Sequence, residues 1–422
     1  MRGSVLAIGS FRWLWLGSLC SHLCQWIQHA TLGWVVYDIT GSGSLLGAVL
    51  GSRAIPIVLL APFAGVAADR YNRRALLLTS QLLAAVASLV FGAALALGAL
   101  ETWHLFAFML SAGLSNILDR PARMTTVLDV VPHQLAMQAV AINTFSFSIA
   151  RVVGPAMAGY LLVWFGAPGS FMIQGGIYLA AGAMVLLVSF PPHQHAHHKA
   201  SAWKDLVDGF RHAATDRTAR MLLTLGIVGF FLMGPTSGAI LPALAKDVFH
   251  SGPEGLGIML TALGVGGIAG GIAASLMGRA DRHGLIHAAS IAALAIGLVG
   301  LGASPSTPWA LLFLALAGAA EMTLVTTNQI MLQMSAPDAM RGRMAGLTQL
   351  FPGVIALGTL LSGVLTDLAG PRGASAICGG VALAIIGAMW LGSPFLREMR
   401  LSDARRARDE EDHRSKSSHR AG

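Results

Sequence analysis

Charge is what this sequence lacks. Only 11% of its 422 residues are Asp, Glu, Lys or Arg, where a soluble globular domain carries about 25%. So few charges cannot cover a water-facing surface of this size, which excludes an ordinary soluble protein. Cysteine is also scarce. Cys20 and Cys24 lie one turn apart and Cys378 near the other end; a disulfide within one helical turn is geometrically poor, so all three read as reduced packing residues. The strict alternation of a membrane β-barrel is missing. Missing too are HExxH, G-x-S-x-G and the G-x-x-x-x-G-K-[ST] phosphate loop, the signatures of common hydrolytic and nucleotide-driven chemistries. No enzyme and no cofactor are expected.

What is present is apolar sequence in long runs. The chain is 55% hydrophobic with mean hydropathy +0.66. Twelve runs of about 20 residues can each cross a hydrocarbon core, the first at Arg12–Tyr37 and the last at Gly373–Leu396. Backbone polar groups in lipid need helices or a closed barrel. The fold class is therefore all-α integral membrane, with twelve transmembrane helices. The first run, "RWLWLGSLCSHLCQWIQHA", reads as a span and not as a signal peptide. Four segments follow from the polar breaks: 1–190 and 221–396 with six helices each, a central loop at 191–220, and a charged tail at 397–422 expected to be disordered. Within the central loop, "WKDLVDGFRHAA" has the pattern of an amphipathic helix on the membrane surface. The run "HQHAHH" (His193 to His198) reads as a solvated loop; no metal is expected there.

Basic residues are unevenly placed. Arg70, Arg73, Arg74, Lys199, Lys204, Arg211, Arg217, Arg279, Arg282, Arg341 and Arg343 fall in loops on the side that holds both termini; the opposite loops offer Lys246 and Arg372. This bias places both termini in the cytoplasm. It also accounts for the net charge of +8 without nucleic-acid binding, because the charge is spread over short loops.

"GVAADRYNRR" is an abrupt charged knot between a span whose one charge is Arg53 and a span with none. Gly65 permits close helix contact, Asp69 can face a positive helix end, and Arg70, Arg73 and Arg74 anchor the turn. Gly65-x-x-x-Asp69-Arg70-x-x-Arg73-Arg74 resembles the signature of the major facilitator superfamily between its helices two and three. "MGRADRHG", with Asp281 and Arg282, resembles a weaker copy in the second half. The resemblance implies two six-helix bundles around a central cavity, with Asp69 latching the cytoplasmic face against the start of helix eleven near Met344. "LDRPARMTTVLDVVP", "INTFSFSIARVVGPAMAGY" and "PDAMRGRMAGL" resemble the superfamily branch of enterobactin exporters and drug-efflux proteins. Gly154-Pro155-x-x-x-Gly159 is similar to its antiporter motif. Implied are a proton-coupled exporter of small amphipathic molecules (siderophore, drug or secondary metabolite) and a monomer in a bacterial inner membrane. An importer of a vitamin or metabolite on the same fold is the alternative.

Ionisable residues inside spans need a partner or a purpose. Arg53, Arg151 and Glu321 lie about 15, 22 and 20 Å into their helices, near the midplane. Asp119 and Arg123, four apart with the acid first, suit a structural ion pair. Gln25, Trp26 and His29 gather on one side of the first helix, and Glu321 and Asn328 share a face of the tenth. These residues are the expected substrate or proton pathway, with Glu321 as the proton carrier. The excess of arginine over acid points to anionic or phenolic substrate groups.

Overall fold

The computed structural model describes residues 4–60, 71–190, 202–277, 281–336, 340–400 and 402. These residues are overwhelmingly helical, with no strand among them. The first helices are α1 (Gly9–Thr40), α2 (Gly43–Leu60), α3 (Arg73–Ala96) and α4 (Thr102–Asp129). The run Ala136–Leu186 folds back at Gly166, giving α5 (136–165) and α6 (167–186). Then come α7 (Arg217–Val248), α8 (Gly252–Met277), α9 (His283–Ala303) and α10 (Thr307–Ser335). The run Phe351–Gly392 turns at Gly370 into α11 (351–369) and α12 (371–392). Both turns need a positive φ, 65° at Gly166 and 71° at Gly370, a conformation that costs glycine nothing.

Eight stretches are long and apolar enough to cross a membrane, and two of these are the folded-back pairs. The long helices α1 and α4 complete the twelve spans. They stand outside the apolar set because they carry most of the polar residues discussed below. Helix starts follow local chemistry: Ser42 caps α2, Asn72 caps α3 and Asp216 caps α7, each accepting from a backbone amide of the first turn.

The first half packs α1 and α3 against the α5–α6 pair, and α4 against α3; the second packs α8 and α9 on α10, with α7 and α9 on the α11–α12 pair. The halves meet along two seams, α5 on α8 and α2 on α11. Close backbone approach makes the second seam: a Cβ added at Gly47 would lie 2.7 Å from the Thr359 carbonyl oxygen. Small residues hold membrane helices together in this way because lipid supplies no hydrophobic drive between them.

Two peripheral pieces qualify the sequence reading. The expected surface helix spans Ala202–Thr215. Gly209 and Ala213 face the protein and Val207 and Phe210 stay exposed, as a helix lying on lipid requires. The tail does not become irregular at Arg397. A short helix, Pro394–Glu398, buries Leu396, and Met399 is buried as well. These two apolar side chains hold a segment that its charge alone would release. The run His193–His198 lies outside the described residues.

Twelve spans put residues 215 and 306 on opposite faces. Cysteine probes at Thr215 and Ser306 should therefore be labelled from opposite sides of intact membranes. Labelling of both from one side would contradict the topology.

Candidate functional site

Between the halves lies a cavity of about 450 Å³. The first half contributes Gln25, Trp26 and His29 from α1, Arg53 from α2, Asn116 and Arg120 from α4, and Phe147 and Arg151 from α5. The second contributes Phe230, Met233 and Ser237 from α7, Glu321, Met322, Val325 and Gln329 from α10, Thr348 and Gln349 just before α11, and Phe351, Pro352 and Ile355 from its start. Spacings of three and four put these side chains on one face of each helix. The lining runs from mid-span towards the face that carries both termini.

The opposite face is shut. Asp367, near the end of α11, accepts from the amides of Gly43 (2.6 Å) and Ser44 (2.8 Å) and from the Ser42 hydroxyl (3.1 Å). A carboxylate thus sits on the positive N-terminal end of α2. Lys246 pairs with Asp38 at 2.8 Å, and the Tyr37 hydroxyl donates to Asp247 at 2.5 Å. Sequence reasoning missed this clasp. Its only local signal is the Ser42-Gly43-Ser44 helix start, and Asp367 is more than 300 residues away.

Charges inside the spans sort into three kinds. Arg151 and Glu321 pair across the two halves, with Nη2 at 2.5 Å from Oε1 and both residues buried. The Arg151 guanidinium lies 5.6 Å from the Trp26 ring centroid, within cation–π range. His29 adds a second tie across the halves, its Nε2 donating to the Ser237 carbonyl at 2.8 Å. Asp119 and Arg123 pair inside the first half, Nε to Oδ2 at 2.8 Å and Nη2 to Oδ1 at 2.5 Å. Ser18 accepts from Arg123, and Gln81 and Ser80 donate to Asp119. Arg53 and Arg120 line the cavity and make no ion pair among the described residues.

Asn328 departs from the expected placement. Its amide donates to the Leu222 carbonyl at 2.9 Å and it is fully buried, away from the cavity lining. On α10 the lining runs through Met322, Val325 and Gln329, so Asn328 falls at the edge of that face and turns onto α7.

Of the expected gating residues, Gly65, Asp69 and Arg70 lie outside the described residues. Arg73 pairs with Asp129, and Arg74 donates to the Leu186 carbonyl at 2.8 Å. Both tie the start of α3 to neighbours in its own half. In the second copy, Arg282 occupies the N-cap position of α9. Asp281 accepts from the Ser402 amide (2.9 Å) and hydroxyl (3.1 Å), which hold its carboxyl below the usual carboxylate range. The expected antiporter motif makes two contacts. Gly154 seats α5 on α1, where a Cβ would fall 2.6 Å from that of Trp26. Pro155 and Gly159 lie on the α5–α8 seam, Pro155 against Gly257 and Gly159 against Glu254.

The Asp119–Arg123 pair yields a stability test. Removing one partner strands a buried charge, at a cost of about 3–5 kcal/mol. Arg123→Gln should lower the melting temperature of the detergent-solubilised protein, and adding Asp119→Asn should recover part of the loss. An unchanged melting temperature for the single variant would contradict a structural role.

Residues 4–415 match the transmembrane secretion effector family. The chain is 25% identical over 367 residues to the staphyloferrin A transporter of Staphylococcus aureus, covering 85% of this chain and 90% of that one. It is 24% identical over 387 residues to the multidrug efflux pump Tap of Mycolicibacterium fortuitum (87% and 92% covered). With the enterobactin exporter EntS of Shigella boydii it shares 28% identity over 383 residues (87% and 84% covered). The crystal structure of the nucleoside transporter NupG superposes with a TM-score of 0.73 at 16% identity, covering 90% of this chain and 98% of that one, which shows the common fold. On a match running through nearly its whole length, the chain belongs to the transmembrane secretion effector family of the major facilitator superfamily, a family of multi-pass membrane transporters and not of enzymes.

Proposed function

We propose that the protein exports small amphipathic molecules of the siderophore, drug or secondary-metabolite class from a bacterial cytoplasm, by alternating access and in exchange for protons. The observation that carries this reading is the cavity itself: it lies between the halves, reaches towards the face with both termini, and is clasped shut on the other. With the basic loops inside, that geometry is a loading state for an exporter. The relatives named as an efflux pump and an exporter support the direction. A single polypeptide holds both halves and both seams, so the working unit is a monomer.

Coupling falls to Glu321, the one carboxylate among the described residues that line the cavity. When ionised it holds Arg151 and accepts a hydroxyl or other donor from the substrate. When protonated it does neither well. Proton and substrate then compete for one group, which is the condition exchange requires. Asp119 is unsuited to this role because Arg123, Gln81 and Ser80 already occupy its oxygens. Glu321→Gln keeps an acceptor and removes the titration. In everted vesicles it should abolish gradient-driven accumulation while leaving substrate binding within a few-fold of the parent. Gradient-dependent accumulation by this variant would rule out Glu321 as the proton carrier.

A further inference from the structure

The two walls of the cavity differ in kind. On the first half, Arg53 and Arg120 stand beside Gln25 and Asn116. Their helices touch, with Gly113 of α4 against the Arg53 carbonyl and Arg120 two turns further along α4, so both arginines belong to the first-half wall. Arg151 adds no net positive charge, because Glu321 neutralises it. Among the described residues, the positive charge without an ion-pair partner in the cavity therefore sits on α2 and α4. The second half sets Glu321, Gln329 and Gln349 beside an apolar patch on α7 and α11. Phe230 and Phe351 stack there with ring centroids 4.2 Å apart and planes 17° apart, flanked by Met233 and Ile355.

These walls exclude two substrate types. A lipophilic cation would face two arginines that have no ion-pair partner among the described residues. A uniformly hydrophilic polyanion would press carboxylates against Phe230, Phe351 and Ile355 and lose their hydration without replacement. A ligand with one anionic end and one aromatic end satisfies both walls. Arginine offers a planar fork of donors that matches a carboxylate, and an aromatic ring extends a stacked pair favourably. The volume of about 450 Å³ suits a molecule of drug size.

We propose that the substrate is an aryl acid bound crosswise, its anionic head on Arg53 and Arg120 and its ring against the Phe230–Phe351 stack. This assignment rests on the reading of the cavity as the transport site. It makes Arg120 and Phe351 specificity-determining residues, each for a different end of the ligand. It also gives the ligand a part in the transport cycle. A molecule that touches both halves favours the conformation in which the walls stand one ligand length apart, and a molecule that touches one half cannot.

The test is calorimetric binding to the purified full-length protein, using three probes of matched shape: naphthalene-2-carboxylate, its primary amide, and the saturated decalin-2-carboxylate. The aryl acid should bind on the order of tenfold more tightly than the amide and severalfold more tightly than the saturated acid. Arg120→Gln should collapse the acid-over-amide ratio and spare the ring preference. Phe351→Leu should do the reverse, with Phe230→Leu as a second variant on the same stack. If the acid is preferred but the ring preference is absent, or moves equally with both kinds of variant, the crosswise assignment is wrong and the anionic reading stands. If the amide binds as tightly as the acid, the anionic reading fails and takes this assignment with it.

Discussion

A charge inside a bilayer costs at least about 2.5–3.5 kcal/mol unless it is paired or faces water, and this cost organises the interior of the protein. Asp119 and Arg123 satisfy it locally, one turn apart and wrapped by Ser18, Ser80 and Gln81. Arg151 and Glu321 satisfy it across the two halves. Arg53 and Arg120 do so by lining a cavity. Each solution has a mechanical consequence. The first stiffens one bundle, the second ties the bundles together, and the third requires a space that water or a ligand can fill.

The seams between the halves follow from the opposite economy. Where α2 meets α11 and α5 meets α8, glycine brings backbones into contact, and on the far face polar groups add to the closure. There Asp367 caps α2, Lys246 holds Asp38 and Tyr37 holds Asp247. Each of these is a hydrogen bond or ion pair at the rim of the bilayer, where water can replace either partner when the contact opens. A closure built from such contacts is reversible, and that is what alternating access demands of it.

Much of the fold was legible in the sequence because twelve apolar runs leave little choice: in lipid, a run of about 20 residues that must satisfy its own backbone becomes a helix. The polar face of α1 was legible for a related reason. Gln25 and His29 recur at helical spacing in a span that could not expose them to lipid. Partners distant in sequence were not legible. Nothing in the chain links Arg151 to Glu321 across 170 residues, so Arg151 reads as a free cation until the halves are assembled. Asn328 shares a helix face with Glu321, but helical spacing does not say which edge of that face packs on α7 and which lines the cavity. Asp367 reads as a lone acid at a helix end, and its three donors come from the other half.

The central claim is that the far face must open for the cavity to discharge. Asp38 and Lys246 sit across that closure, 2.8 Å apart, and can be replaced without touching the cavity or the Asp367 cap. The most direct measurement is transport by an Asp38→Cys/Lys246→Cys variant, in a background where Cys20, Cys24 and Cys378 are alanine, before and after cross-linking with a short bifunctional methanethiosulfonate reagent. Transport should stop when the new cysteines are cross-linked and return on reduction. Undiminished transport through a fully cross-linked protein would contradict the account.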